Sequence, residues 1–197
     1  MTSWWHAERT RGVLEVLRAH GAATILELGC GDGDVLLEVL GLDGIEGVTG
    51  LEPDPAALGR LRARLPDGED RVTLLEGSAL DPPPLPAAQA VVMVEVIEHL
   101  DPAQLSRLER TLFARLDPDL AVITTPNAEF NALLGVPAHR MRHPGHRFEW
   151  NRAQFARWAR GVAKRAGRVV ALSTLGGAHP ELGGASQMAV FTCPDES

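Results

Sequence analysis

Two hydrophobic periods alternate along the chain. Short apolar runs occupy 24–28, 47–52, 72–76, 90–96, 121–125, 169–174 and 187–192, and predict seven strands. Between them, apolar residues recur every three or four positions, which predicts helices over 4–20, 34–40, 54–65, 102–116 and 151–166. In the fourth helix Leu105, Leu108, Leu112 and Leu116 fall at core spacing, and the last four helices each start near an Asn or Asp able to cap them. Prolines 82, 83, 84 and 86 break the chain before the fourth strand. Strands alternating with helices are the sequence form of a parallel sheet with crossover helices. The expectation is one doubly wound α/β domain of about seven strands, with helices on both faces.

The totals agree with a single domain over 1–197. With 45% hydrophobic and 23% charged residues, 197 residues can bury one sizeable core. No apolar run approaches the roughly 18 residues of a membrane span, and the opening MTSWWHAERTRG is charged and aromatic where a signal peptide is apolar. A cytoplasmic protein without membrane contact is expected. Cys30 and Cys193 have no CxxC or Cys/His spacing and are read as free thiols.

Charge changes the picture more. The net charge of −7 is spread unevenly: residues 1–139 hold ten Lys and Arg against 22 Asp and Glu, whereas residues 140–168 hold nine against one. A compact basic segment, almost all arginine, follows an acidic body, and it suits bidentate phosphate contacts.

ILELGCGDGD, residues 25–34, is an apolar strand that ends in a glycine-rich turn and opens a helix. Glycines 29, 31 and 33 let the backbone approach a ligand, and the helix start offers unpaired N–H groups. Glu52 ends the next strand in GLEPD, where a carboxylate can accept from both hydroxyls of a ribose. The third glycine comes one place earlier than in the dinucleotide GxGxxG of NAD and FAD enzymes. Instead, GxGxG preceded by Glu27 resembles motif I of class I S-adenosylmethionine-dependent methyltransferases. That resemblance implies a Rossmann-like methyltransferase sheet. It also implies a cofactor site made by Glu27, Gly29, Gly31, Asp32, Gly33 and Glu52, with Ser78, Ala79 and Leu80 at the adenine.

The fourth strand runs into VEVIEHL, residues 94–100, and so carries Glu95, Glu98 and His99 to the ligand-binding edge of the sheet. Two readings stand: a metal site, if the chain turns helical after Val96, or one functional acid followed by surface charges. His143 and His146 sit in a loop ahead of the last helix. Around them Arg142, Arg147, Arg152 and Arg157 alternate with Phe148, Trp150, Phe155 and Trp158. Such a composition binds phosphates and stacks bases, although Phe155 and Trp158 fit plain helix packing and the last two arginines equally fit an exposed amphipathic helix.

LELGCGDGD, EVIEH, TTPNAEFN, RHPGHRFEWNRAQFARWA and HPELGGASQMAVF together resemble the bacterial and eukaryotic small-RNA 3′-terminal ribose 2′-O-methyltransferases of the Hua enhancer type, from about Glu27 to Phe191. The resemblance implies a Mn²⁺ or Mg²⁺ ion held by Glu95, Glu98, His99 and His146, with His143 the alternative to His146. It further implies methyl transfer to the 2′-hydroxyl of an RNA 3′ end, with Glu95, His99 and His146 as catalytic residues and His99, His146 or water as the base; the alternative is a methyltransferase of the same fold that acts on a small molecule without a metal. Residues 128–150 would be the metal and RNA insertion, Arg140, Arg142, Arg147 and Arg152 would meet the RNA, and an RNA-repair protein would be the partner. Two departures stand out: Gly145 where the family more often has an acid before the second histidine, and Ala178-His179 where it has an acidic dipeptide.

Overall fold

The computed structural model describes residues 4–194. Its strands are β1 (Thr24–Leu28), β2 (Gly47–Glu52), β3 (Val72–Glu76), β4 (Ala90–Val94), β5 (Leu120–Pro126), β6 (Val169–Leu175) and β7 (Ser186–Thr192). They form one sheet in the order β3-β2-β1-β4-β5-β7-β6. The main helices are α1 (Trp4–His20), α2 (Asp34–Leu40), α3 (Pro55–Arg62), α4 (Leu105–Arg110) and α5 (Arg152–Ala166).

Alternation along the buried strands divides the core in two. Ile25, Val92, Val122 and Val190 face one side, where Leu14 and Leu17 of α1, Leu36 of α2 and Leu58 of α3 cover them. Leu26, Val91, Ile123 and Phe191 face the other, under Leu105 and Leu108 of α4 and Phe155, Ala159 and Val162 of α5. Among the described residues no helix is long and apolar enough to cross a membrane.

The sheet is mixed rather than wholly parallel, because β7 runs antiparallel to both β5 and β6. Only residues 176–185 join β6 to β7, too few for a crossover helix, so the chain returns as a hairpin. Three local expectations also change. The strand expected over 90–96 stops at Val94: Glu95 takes φ 55, and a 3₁₀ turn follows at Ile97–His99. The helix expected over 102–116 is a 3₁₀ turn, then α4, then a π-helical stretch, Thr111–Leu116. Residues 128–134, expected as loop, form a 3₁₀ helix whose start Asn127 caps through its side chain. Asp54, Asp101 and Asn151 cap as expected. Asp34 does not, because Gly33 is the cap residue and the Asp34 carboxylate pairs with Arg64.

Candidate active site

β1, β2, β4 and β5 all end at the same edge of the sheet, which places the ends of four sequence-distant strands around one crevice. A cavity of about 450 Å³ opens there, lined by Gly29, Glu52, Ser78, Ala79, Glu95, Val96 and His99. Gly29 has φ 80, and a Cβ on it would stand 2.7 Å from Val96, so the turn excludes any other residue. Glu52 is held by two backbone donors, Gly31 N–H to Oε2 at 2.9 Å and Asp54 N–H to Oε1 at 3.0 Å. Each oxygen keeps a lone pair for a ligand hydroxyl.

Glu27, two residues before Gly29, is buried, and its Oε2 has no partner among the described residues. Burial, followed by the nearby Asp34 and Glu52, pushes its carboxyl up to about 8. The other expected cofactor residues do not line this cavity. Asp32 is held by Arg60, Gly33 packs so closely on Leu61 that a Cβ would lie 2.1 Å from it, and Leu80 packs into the core. Gly31 acts through its N–H on Glu52.

A second cavity of about 350 Å³ shares Glu95 and His99 with the first and adds Arg9, Glu98, Arg142, His143 and His146. The left-handed backbone of Glu95 turns its N–H to Thr124, whose hydroxyl donates back to Glu95 Oε1 at 3.0 Å. Ser186 Oγ and Arg9 Nη1 reach Oε2 at 3.2 and 3.4 Å. Glu98 is fully buried: Thr125 Oγ1 donates to Oε2 at 2.9 Å, and Oε1 has no partner among the described residues. Burial, and then the neighbouring Glu95, raise its carboxyl well above the usual range.

The histidine loop is tied to the β4 turn by its backbone. Arg147 N–H donates to Glu98 C=O at 2.7 Å, and Gly145 C=O accepts from His99 Nδ1 at 3.2 Å. One nitrogen from each of His99, His143 and His146 comes together, all within 4.8 Å of one another. The rings are not equivalent. His99 Nδ1 faces a carbonyl and His146 Nδ1 a carboxylate, Glu149, so in both the Nδ1 carries the proton and Nε2 keeps a lone pair. His143 Nδ1 instead accepts Gly145 N–H at 3.0 Å, which puts the proton of a neutral ring on Nε2. His99 and His146 therefore each keep an Nε2 lone pair, whereas a neutral His143 offers an Nε2 donor. Burial and the neighbouring His146 lower the pKa of His99, which favours the neutral ligand form.

The arginines divide differently from the expectation. Arg142 is structural: its guanidinium donates to Asn127 C=O, to Asn131 Oδ1 and, at 2.7 Å, to Ala185 C=O. Arg152 is taken up by Glu129 at 2.8 Å. Arg140 and Arg147 are exposed. Phe148, Trp150, Phe155 and Trp158 form one packed aromatic row with ring centroids 4.3 to 5.8 Å apart.

Sequence reading places α1 but gives it no part in the site, whereas the helix brings Trp5, His6 and Arg9 to the second cavity. Its available signal was Trp5 and Arg9 four apart, hence on one helix face. It also missed Glu149, the one acid of the basic segment and the group that sets His146.

Residues 5–162 match a family described as a methyltransferase domain. The chain is 36% identical over 174 residues to a small RNA 2′-O-methyltransferase of Gallus gallus, covering 81% of this chain and 45% of that protein. A Xenopus tropicalis protein of the same name is 30% identical over 95% of this chain and 54% of its own length. The chain thus spans about half the length of these curated relatives. Among solved structures, the methyltransferase domain of bacterial CtHen1 superposes with a TM-score of 0.83 at 32% identity, over 93% of this chain and 97% of that one. The small RNA methyltransferase HEN1 gives 0.86 at 30% identity, over 96% of this chain and 25% of that one.

Proposed function

We propose, from the premise that this chain belongs to the methyltransferase-domain family and within it to the Hen1-type domains, that it methylates the 2′-hydroxyl of the 3′-terminal nucleotide of small RNA with the help of a divalent cation. The observation that carries the reading is the meeting of two cavities at Glu95 and His99. One has the features of a nucleoside site, the Gly29 turn and Glu52; the other has unfilled donor atoms. S-adenosylmethionine in the first supplies an electrophilic methyl group.

The second cavity fits a cation on its own chemistry. Glu98 Oε1 is buried without a partner, and the lone pairs at Nε2 of His99 and His146 are unclaimed by the hydrogen bonds that fix those rings. Glu95, which lines the same cavity, would complete a set of two carboxylates and two imidazoles. A mixed oxygen and nitrogen set leans toward Mn²⁺ over Mg²⁺. A divalent ion there lowers the pKa of an adjacent ribose hydroxyl and makes it a competent nucleophile at neutral pH.

The residues of the chain do the rest. Thr124, Thr125 and Ser186 hold the two carboxylates, while Gly145 and Glu149 hold the two rings. With Nδ1 turned to Gly145 C=O and to Glu149, each ring has only Nε2 to offer; were both Nε2 atoms to hold the ion, the hydroxyl proton would pass to water. Arg9 offsets the negative charge beside Glu95. Exposed Arg140 and Arg147 are the cations of the expected region left free for RNA phosphates.

The test is methyl transfer from labelled S-adenosylmethionine to short RNAs that end in a 2′,3′-diol, a 2′-deoxyribose or a 3′-phosphate, with Mn²⁺ or with chelator. Transfer to the diol end alone, and only with the ion, is expected. Equal reaction at all three ends would overturn the reading.

A further inference from the structure

The lining of the second cavity is of two chemical kinds: charged and polar side chains, Glu95, Glu98, His99 and His146 among them, and the apolar Trp5, Pro126 and Leu134. A nucleoside divides the same way, into a hydroxyl-bearing sugar and a flat apolar base. We propose that Trp5 is the platform on which the base of the 3′-terminal nucleotide stacks; this subsite rests on the RNA 2′-O-methylation reading and extends it.

Trp5 is built in as a platform requires. Its ring meets Phe130 edge to face at 5.3 Å and 72°. Gly176 and Gly177, both at positive φ, lie against the indole: a Cβ on Gly177 would sit 3.0 Å from Cζ3, and one on Gly176 3.6 Å from Cε3. The two glycines leave room for the ring and fix its place, and it stays half-buried beside the cavity. A ring held in this way loses little freedom when a base packs on it.

Position along α1 supplies the register. Arg9 is one turn beyond Trp5 and reaches Glu95, so the helix ties the indole to a carboxylate of the polar lining. Pro126 and Leu134 add apolar lining whose side chains carry no hydrogen-bonding group that could tell one base from another. Recognition by the face of the base is tolerant of sequence, because every base has one. The enzyme is thus expected to require a terminal base and to be nearly indifferent to which base it is.

The experiment pairs two deletions. RNA ending in an ordinary adenosine is compared with RNA ending in 1-deoxyribose, which keeps both hydroxyls and lacks the base, on the wild-type chain, Trp5→Leu and Trp5→Phe. Trp5→Leu keeps an apolar side chain against Phe130 and Gly177, and binding of S-adenosylhomocysteine in the other cavity reports on its fold. Stacking predicts that base removal raises KM for the wild-type chain about tenfold, with kcat changed far less. Trp5→Leu should raise KM for ordinary RNA by a similar factor and be nearly blind to base removal, and Trp5→Phe should restore most of the difference. If the two deletions multiply to about a hundredfold, or if base removal leaves the wild-type KM unchanged, Trp5 does not touch the base. Absence of transfer to every RNA while S-adenosylhomocysteine still binds would overturn the RNA reading itself, and with it the subsite.

Discussion

Glu149 holds His146 from behind: its Oε1 accepts from the ring's Nδ1, so Nε2 is the nitrogen left to a ligand. The same carboxylate accepts Arg142 N–H at 2.7 Å and Asn131 Nδ2–H at 2.6 Å, which fixes it within the loop. Carboxylates in this position orient a ligating imidazole and raise its basicity. Glu149→Ala is therefore expected to weaken Mn²⁺ binding by about 10- to 100-fold in calorimetric titration. An unchanged affinity would show that the contact is structural only.

Opposite ring protonation separates two histidines that proximity alone would treat alike. His146→Ala should remove most of the Mn²⁺ affinity, whereas His143→Ala should leave it within about threefold, since a ring with its proton on Nε2 offers no lone pair there. Equal losses in both variants would place His143 among the ligands.

Arg9 and Glu95 meet with side chains only 14% and 18% exposed, close to the buried Glu98. Arg9→Met leaves the two neighbouring carboxylates without their cation and should cost about 1–3 kcal/mol of stability in the metal-free chain. Added Mn²⁺ should restore much of the loss, because it supplies charge at the same place. Thermal unfolding with Mn²⁺ or with chelator measures both effects. A loss that Mn²⁺ does not restore would separate Arg9 from the candidate metal cavity.

Glu27 gives a pH dependence of definite sign. Its folded-state value of about 8 lies above the 4.5 of an ordinary glutamate, so the folded chain holds this proton more tightly than the unfolded one. The stabilisation is complete below about 4.5 and is lost as pH rises through 8. Relative to Glu27→Gln, the wild-type chain should lose stability on the order of a few kcal/mol between pH 5 and 8. Parallel stability curves for the two would mean that the carboxyl titrates normally.

How far the sequence reached depends on which forces act locally. Strand ends and capped helices follow from periodicity and from Asp54, Asp101 and Asn151, which act on their own neighbours. The β7 reversal was missed because alternation records burial and not strand direction. Glu95, Glu98, His99 and His146 were legible as a set through resemblance, and the structure brings all four to one cavity. Arg9 and Trp5 were not, because their role depends on where α1 docks, a tertiary fact that no spacing records. Arg142 misled for the converse reason: an arginine among histidines resembles a phosphate ligand until its donors are found on Asn127, Asn131 and Ala185.

The central claim is a cation held by Glu95, Glu98, His99 and His146. Electron–nuclear double resonance on the Mn²⁺-loaded chain tests it most directly, because it counts the nitrogens bound to the ion. Two imidazole nitrogens are predicted, one lost in His99→Ala and the other in His146→Ala, with the spectrum of His143→Ala unchanged. No imidazole coupling, or a third that disappears with His143, would contradict the account.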